Sequence, residues 1–263
     1  MPPSGRQRAR TNAAVAVAAL IILLLWLALV YRTEPVRALL RAPRPTLSWD
    51  EWLARVKTGD VLLARGSGAT SALHCALLAT PVKHVAIVIV IDDGVVHDDV
   101  YTKPAAAAAA AAEKRAGRQV LLWESGVGVG TRVRPLVHYL EHGGVSLLLW
   151  RAVDVSARDA RAVMTSPAYT HYGYSFRVAS EFFRRTLRVP LLTAPAAADR
   201  GVGGASGGAL NCSDLAAHAY VGMGVLDASA TQRSVFPRDF LDDRALPWRA
   251  DVGAPHEIQL DGG

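Results

Sequence analysis

The chain has 263 residues, of which 51% are apolar and 20% are charged, and its formal net charge is +6. This composition supports a sizeable hydrophobic core, and it excludes a disordered chain, a collagen and, with only two cysteines, a disulfide-stapled small domain. Removing Arg6, Arg8 and Arg10 from the 29 basic residues leaves 26 against 23 acidic ones. No basic run interleaved with aromatic residues remains, so nucleic-acid binding is not expected.

The N-terminal part of the chain has the pattern of a membrane segment. Residues 13–30 are all apolar, and as a helix they would cover about 27 Å, close to the hydrocarbon thickness of a thin bilayer. A cleaved signal peptide is the alternative, but residues 27–35 offer no good cleavage site. We expect a basic tail over 1–12, a transmembrane anchor over 13–31 and a stalk over 32–47. Arginines flank both ends of the anchor, so the positive-inside rule leaves the side of the membrane that holds the rest of the chain undecided.

The remaining chain alternates between strand and helix patterns. Runs rich in Val, Ile and Leu predict buried strands over 61–64, 84–91, 120–123 and 145–150, and a turn at 92–94 would return the second strand as 95–97. Helical character is found over 48–56, where a serine cap and an acidic first turn mark the start of the folded domain, and over 69–79, 153–164, 175–187 and 211–221. These elements predict an α+β fold, a small sheet packed by helices, over residues 48–250, followed by a tail over 251–263.

Two segments of low complexity have the appearance of insertions. Residues 105–112 are eight alanines, which favour a helix but lack the large apolar side chains that would anchor it in a core. Residues 194–209 have the composition of a flexible linker. We expect both to emerge from loops without disturbing the fold.

Three reactive or titratable residues lie at the ends of predicted helices and strands. Asn211 is a good helix N-cap, so Cys212 should lie in a first helical turn, where free amide groups and the helix dipole stabilise a thiolate. His84 begins the most apolar run after the anchor, at the mouth of a strand, where an imidazole can reach a cleft. Glu124 ends another strand, where a carboxylate can accept the second imidazole N–H and fix its tautomer. A buried structural cysteine, a core histidine and a solvated turn glutamate are the alternatives.

The order His, Glu, Cys resembles that of the circularly permuted papain-like amidases, a branch of the NlpC superfamily of cysteine hydrolases. The resemblance is carried by seven segments in the family order: KTGDVLLAR at 57–65, PVKHVAIVIV at 81–90, VLLWES at 120–125, VRPL at 133–136, YGYSF at 172–176, NCSDLAAHAY at 211–220 and FPRDFL at 236–241. It implies that Cys212 is the nucleophile, His84 the base and Glu124 the residue that orients the base. The chain departs from the family at Asp214, where a glutamate is common, and after Tyr174, where an aspartate is frequent.

Other polar clusters are less suited to catalysis. His218 lies six residues after Cys212, about 240° round the helix, and cannot face the thiol. Residues 74–75 fit a helix core, and residues 97–99 fit a polar turn because no second cluster has metal-ligand spacing. The glycines of 126–130 lack the spacing of a nucleotide-binding loop. Neither a metal nor a cofactor is expected.

The sequence therefore predicts a single-pass membrane protein whose cysteine hydrolase domain cleaves an amide bond through a Cys212-His84-Glu124 triad and a thioester. The substrate would be a peptide amide or an acylated amine, and the anchor over 13–31 would concentrate the enzyme on membrane-bound substrates. Two alternatives remain open. One is lipid acyl transfer or deacylation through the same thiol, and the other is a catalytically inactive membrane scaffold.

Overall fold

A computed structural model describes residues 43–69, 71–72, 75, 80–93, 99–126, 130–166, 169, 210–232 and 235–260. The strands of this part are β1 (Thr46–Leu47), β2 (Val61–Gly66), β3 (His84–Asp92), β4 (Arg118–Gly126), β5 (Gly130–Pro135), β6 (Val145–Arg151) and β7 (His256–Ile258). The α-helices are α1 (Trp49–Arg55), α2 (Pro104–Ala116), α3 (Leu136–Gly143), α4 (Ala157–Met164) and α5 (Cys212–Gly222). Two 3-10 helices, Ala228–Gln232 and Pro237–Leu241, follow α5.

The strands form one mixed, open sheet in the order β1-β7-β6-β2-β3-β4-β5. Strands β1 and β7 are parallel, and every other neighbouring pair is antiparallel. The predicted α+β class is confirmed by this sheet and the five α-helices of the described part. Strands β3 and β4 are antiparallel neighbours, so the start of β3 lies beside the end of β4 at one end of the sheet.

The two faces of the sheet bury two separate cores. Side chains of a strand alternate between faces, so Val85 and Ile87 of β3 enter the core shared with α5, whereas Ala86 and Val88 enter the core under α1, α2 and α3. Burial on both sides explains why β3 reads as one continuous apolar run. The nucleophile predicted on α5 thus belongs to one face of the sheet, and α3 covers the other.

Segments at both ends of the predicted domain belong to the sheet. Strand β1 falls in the stretch that was expected to be a stalk, and β7 falls in the stretch that was expected to be a tail, so both boundaries of the predicted domain are corrected. The two segments bond to each other: the Glu257 N–H donates to Pro45 O at 2.9 Å, and the Gln259 N–H donates to Leu47 O at 3.0 Å. Two- and three-residue strands carry almost no hydrophobic pattern of their own, and their backbone pairing is non-local. Their membership in the sheet could not be read from the sequence.

The prediction that the alanine run emerges from a loop is wrong, because the run forms a helix that packs in the core. In α2, Ala106, Ala109 and Ala112 are 0–1% exposed and pack in the core with α1 and α3. Pro104 occupies the first turn and Gly117 ends the helix in the left-handed conformation, both common at helix termini. Small side chains at spacings of three residues let a helix approach its neighbours closely, so the absence of large apolar residues does not keep it from packing.

Several predicted segments lie outside the described residues. They are the tail 1–12, the anchor 13–31, the stalk up to residue 42, the strand 95–97, the helix 175–187 and the linker 194–209. Of the helix predicted over 69–79, the described residues 69, 71–72 and 75 are helical. Between residues 43 and 260, none of the described helices combines the length and the apolar character needed to cross a bilayer.

The turn before β2 ties the two faces of the fold together. Asp60 is fully buried and accepts hydrogen bonds from Lys57 N–H at 2.9 Å, Trp150 Nε1–H at 2.9 Å and Val153 N–H at 3.0 Å. The hydroxyl of Tyr220 on α5 donates to Gly59 O at 2.8 Å. The turn is therefore a structural junction that attaches α5 to the start of β2.

Replacing Gly59 by alanine should destabilise this junction by about 2 kcal/mol or more. Gly59 has a φ of +101°, and a Cβ there would lie 2.3 Å from Val155 Cγ1. Gly68 is the matched control, since its φ is +96° and a Cβ there would have no atom within 4 Å. Urea unfolding of the full chain in mild detergent should show a clearly larger loss for Gly59→Ala than for Gly68→Ala. Equal losses would mean that the backbone conformation alone, and not the contact with Val155, makes glycine necessary.

Candidate active site

The predicted base and acid meet at the end of the sheet where β3 begins and β4 ends. His84 is the first residue of β3, and Glu124 lies two residues before the end of β4. The His84 Nε2 and Glu124 Oε2 atoms are 2.5 Å apart. The Glu124 side chain is fully buried, whereas the His84 side chain is 17% exposed. The carboxylate is therefore placed to fix the ring from inside the fold.

Cys212 is the first residue of α5, as the sequence predicts. The side-chain oxygen of Asn211 caps the helix by accepting hydrogen bonds from the N–H groups of Ser213 and Asp214, both at 2.9 Å. The Asn211 amide also donates to Asp214 Oδ2 at 2.6 Å, so the cap and the acid at the third position bond to each other. The Cys212 N–H has no acceptor among the described residues, and it points from a helix N-terminus where a developing anion is stabilised.

Three further bonds attach the start of α5 to the rest of the domain. Ser125, which directly follows Glu124, donates from Oγ to Leu210 O at 2.9 Å. Ser213 Oγ donates to Val235 O at 2.6 Å, and Val235 N–H donates to Asp214 Oδ1 at 2.8 Å. The chain entering α5 is thus bonded to the strand that carries the acid, which brings the cysteine to the histidine across more than a hundred residues.

The imidazole of His84 lies between the two other predicted residues. Its Nε2 faces Glu124. The side chain of Cys212 is close enough to raise the pKa of the ring, and Nδ1 is the ring nitrogen that the bond to Glu124 leaves available to the thiol. Cys212 is 7% exposed, and Cys75, the other cysteine, is 8% exposed. Both are free thiols. The structure therefore pairs His84 with Glu124 and places Cys212 near the imidazole, while the catalytic roles of the three residues stay a prediction.

Two arginines of β5 surround the Glu124 carboxylate. Arg132 is directly opposite Glu124 in the β4–β5 register and donates from Nε to Oε1 at 2.9 Å. Arg134 approaches both oxygens, with its Nε 2.7 Å from Oε1 and its Nη2 donating to Oε2 at 3.1 Å. Residues two apart on a strand share a face, so one short strand supplies both cations. Burying a carboxylate is costly without such partners.

Tyr139 of α3 closes a ring of side chains around the imidazole. Its aromatic ring stacks on His84 with centroids 5.7 Å apart and an interplanar angle of 26°. The guanidinium carbon of Arg134 lies over the Tyr139 ring, 4.2 Å from its centroid. His84, Glu124, Arg134 and Tyr139 thus contact one another in a closed cycle. Burial raises the pKa of Tyr139, which keeps its phenol neutral at physiological pH.

The charges in this cluster favour an imidazolium and a carboxylate. Burial lowers the pKa of His84, but the charge and hydrogen bond of Cys212 and those of Glu124 outweigh it and raise the pKa from 6.5 to about 9. Burial likewise raises the pKa of Glu124, but His84, Arg134 and Arg132 together lower it from 4.5 to about 2. At neutral pH the ring is therefore protonated and Glu124 is ionised.

The raised pKa of His84 leads to a measurable titration. In the full chain in detergent, NMR of the histidine ring should show His84, identified from the spectrum of His84→Gln, titrating near pH 9. In Cys212→Ala the pKa should fall, because the thiolate is the largest cause that raises it. The folded chain binds the His84 proton more tightly than the unfolded chain does. The protonated His84 therefore stabilises the fold fully below pH 6.5, and this contribution is lost as the pH rises to about 9. An ordinary pKa near 6.5 would contradict the ion pair.

Arg132, Arg134 and Tyr139 were not predicted as site residues. Residues 130–135 contain one valine among polar residues and glycine, so no strand was predicted there, and Val133 is half exposed at the edge of the sheet. One signal was present in the sequence: two arginines two residues apart, shortly after a strand that ends in a glutamate and a glycine-rich turn. In the β4–β5 hairpin, Gly126 pairs with Gly130, which accounts for that turn.

Among the described residues, the remaining polar groups form no second site of this kind. Burial raises the pKa of Cys75, and this thiol lacks a histidine partner among the described residues. Asp99 lies 3.4 Å from His138 Nε2, while residues 97–98 are outside the described part. His218 is 8% exposed, and its backbone oxygen accepts from Tyr169 Oη at 3.3 Å. Within the described residues, no three His, Cys, Asp or Glu side chains are grouped as a metal site would need.

Comparison with known proteins does not assign a family. No protein-family model matches the chain, and no curated protein matches it significantly. The chemistry of the site must therefore be argued from its own residues. A thiol at a helix N-terminus, in contact with a buried imidazolium that a carboxylate orients, has the parts of a nucleophile, a proton carrier and an orienting group.

Proposed function

We propose that this protein is a cysteine hydrolase that cleaves an amide bond, with a peptide or an acylated amine as substrate. The observation that carries the proposal is the placement of these residues: the His84 imidazole bonds to Glu124, and Cys212 lies close enough to raise the pKa of that imidazole. Each member has the environment that its role needs: a helix N-terminus for the sulfur, two hydrogen-bonding partners for the imidazole and a buried, ionised carboxylate.

The proposed reaction begins with the thiolate and the imidazolium already paired. The Cys212 sulfur attacks the scissile carbonyl carbon, and the oxyanion accepts a hydrogen bond from the Cys212 N–H at the start of α5. The His84 imidazolium then gives its Nδ1 proton to the leaving nitrogen, the C–N bond breaks, and an acyl thioester remains on Cys212. Water next attacks the thioester and gives its proton to His84 as general base; the C–S bond breaks, which releases the acid and regenerates the pair of Cys212 thiolate and His84 imidazolium.

Glu124 acts by holding the ring. Its bond to Nε2 keeps Nδ1 directed at the sulfur, and its charge stabilises the imidazolium. Arg134 and Tyr139 are positioning residues in this scheme, because they contact Glu124 and the ring rather than the reacting atoms. The closed cycle restricts rotation of the imidazole, and a preoriented base lowers the entropic part of the barrier.

The proposed setting is a membrane, through an anchor over residues 13–31. The support is the apolar run in the sequence, which is long enough to span a bilayer. An enzyme held in this way meets lipid-attached substrates at a high effective concentration.

Activity profiling of the full chain in detergent tests the proposal. Matched fluorogenic peptide amides, N-acyl amines and acyl esters would be offered, and acid-quenched protein would be weighed for an acyl adduct on Cys212. Turnover of amides with a transient adduct on Cys212 supports the proposal. Turnover restricted to lipid esters would replace it with deacylation, and the absence of both turnover and adduct across the panel would refute it.

A further inference from the structure

The cluster around Glu124 carries one more positive charge than its own ion pairs require. Even if Cys212 is counted as a thiolate beside the protonated His84, the triad has a net charge of −1, and the guanidinium groups of Arg132 and Arg134 change this to +1. A carboxylate needs one counter-ion, yet Glu124 already has the imidazolium and two arginines. The site therefore holds a cation that its own residues leave uncompensated.

Arg132 is the most exposed of the charged side chains that bond to Glu124. Its side chain is 37% exposed, compared with 21% for Arg134 and 0% for Glu124. It uses Nε for Glu124, and its two Nη groups have no acceptor among the described residues. Strand β5 is the last strand of the sheet, so no described strand covers this side chain from outside. Arg134, in contrast, donates from Nη2 to Glu124 and lays its face on Tyr139, and its Nε is 2.7 Å from Glu124 Oε1.

Two further basic residues adjoin His84 in the chain and in the sheet. Lys83 directly precedes His84, and Arg65 follows the β2 residue that pairs with His84. Two carboxylates flank the site, Glu124 and Asp214, and each is already bonded to donors. The positive charge of the site would attract a negatively charged molecule.

We propose that Arg132 binds an anionic group of the substrate, a carboxylate or a phosphate, held next to the scissile carbonyl. The two free Nη groups present a planar pair of donors that matches two oxygens of such a group. This inference rests on the proposed function and narrows its substrate class from amides in general to amides with an acidic neighbour. The Nε bond to Glu124 fixes the direction of the guanidinium, so the subsite is joined to the triad through Glu124.

Two alkylating reagents of nearly equal size test the charge without knowledge of the substrate. Iodoacetate is an anion and iodoacetamide is neutral; with each, the thiolate displaces iodide and an S–C bond replaces the C–I bond. The ratio of the two rates at Cys212 is measured by peptide mass spectrometry of the full chain in detergent at low salt. Each variant's own iodoacetamide rate corrects for changes in thiol activation.

The ratio of iodoacetate to iodoacetamide rates should fall by at least about threefold in Arg132→Gln and be retained in Arg132→Lys, which keeps the charge. Added salt should lower the wild-type ratio. Arg115→Gln is the matched control, because Arg115 is 60% exposed and pairs with Asp50 at 2.8 Å. An unchanged ratio in Arg132→Gln would overturn the inference and leave the hydrolase proposal standing, whereas a Cys212 that reacts with neither reagent would count against both.

A protection experiment separates the two kinds of anion. Inorganic phosphate or acetate is added at equal ionic strength while iodoacetamide alkylates Cys212. Slower alkylation with phosphate alone assigns a phosphate group, such as that of a lipid headgroup, and slower alkylation with acetate assigns a carboxylate. In either case Arg132→Gln should remove the protection, and protection that persists in this variant would contradict a role for Arg132.

Discussion

Replacing Cys212 by serine should lower turnover by at least about a thousandfold while the domain stays folded. A hydroxyl is far less acidic than a thiol, so the His84 imidazole cannot supply a comparable nucleophile at neutral pH. The substitution changes one atom at a site that is 7% exposed, so the domain should stay folded and lose only the stability that the interaction of Cys212 with His84 contributes. The measurement is the hydrolysis rate of the best amide from the profiling panel, together with urea unfolding.

The chain provides its own control in Cys75. That residue is as buried as Cys212, and burial raises the pKa of its thiol, but it is not part of the contacts around His84. Cys75→Ser should therefore keep the wild-type rate. If Cys212→Ser retained turnover, or if Cys75→Ser lost it with an unchanged unfolding curve, the sulfur of Cys212 would not be the nucleophile.

Replacing Glu124 by glutamine should destabilise the fold by about 3 kcal/mol, because it leaves Arg132 and Arg134 beside an uncharged amide in a buried site. Since the pKa of Glu124 is lowered to about 2, its contribution is present above pH 4.5 and is lost as the pH falls towards 2. The difference between wild type and variant should shrink in the same range. The pKa of His84 should also fall, because Glu124 raises it.

A second substitution distinguishes charge from packing. Adding Arg132→Gln to Glu124→Gln removes one of the unpaired cations and should recover part of the stability lost. Glu141→Gln is the control, because that carboxylate lies on the surface, where it accepts from Thr102 and Lys103. If Glu124→Gln is no less stable than Glu141→Gln at neutral pH, the ion pairs around Glu124 do not stabilise the fold.

The sequence predicts the triad because each member has a local signature. Asn211 before an apolar helix gives the place of Cys212, and the long run that begins at His84 gives a strand with a polar residue at its mouth. The strand ending at Glu124 is equally clear. These signals depend on residues close in the chain, so burial and capping can be read without a tertiary structure.

The parts that were missed depend on distant pairing. Strand β5 has an unremarkable composition, and the register that sets Arg132 opposite Glu124 follows from the length of the hairpin turn. Tyr139 reaches His84 only because α3 folds back over β5. Strand β7 and the packing of α2 likewise depend on partners far away in the sequence. Local pattern carries little information about such contacts.

The most direct test of the account is the rate at which iodoacetamide alkylates the two cysteines at about pH 6, followed residue by residue by mass spectrometry. A thiolate paired with the His84 imidazolium predicts that Cys212 reacts at least about a hundredfold faster than Cys75, and that His84→Gln removes most of this advantage. A Cys212 that reacts no faster than Cys75, or whose rate is the same in His84→Gln, would contradict the proposed nucleophile.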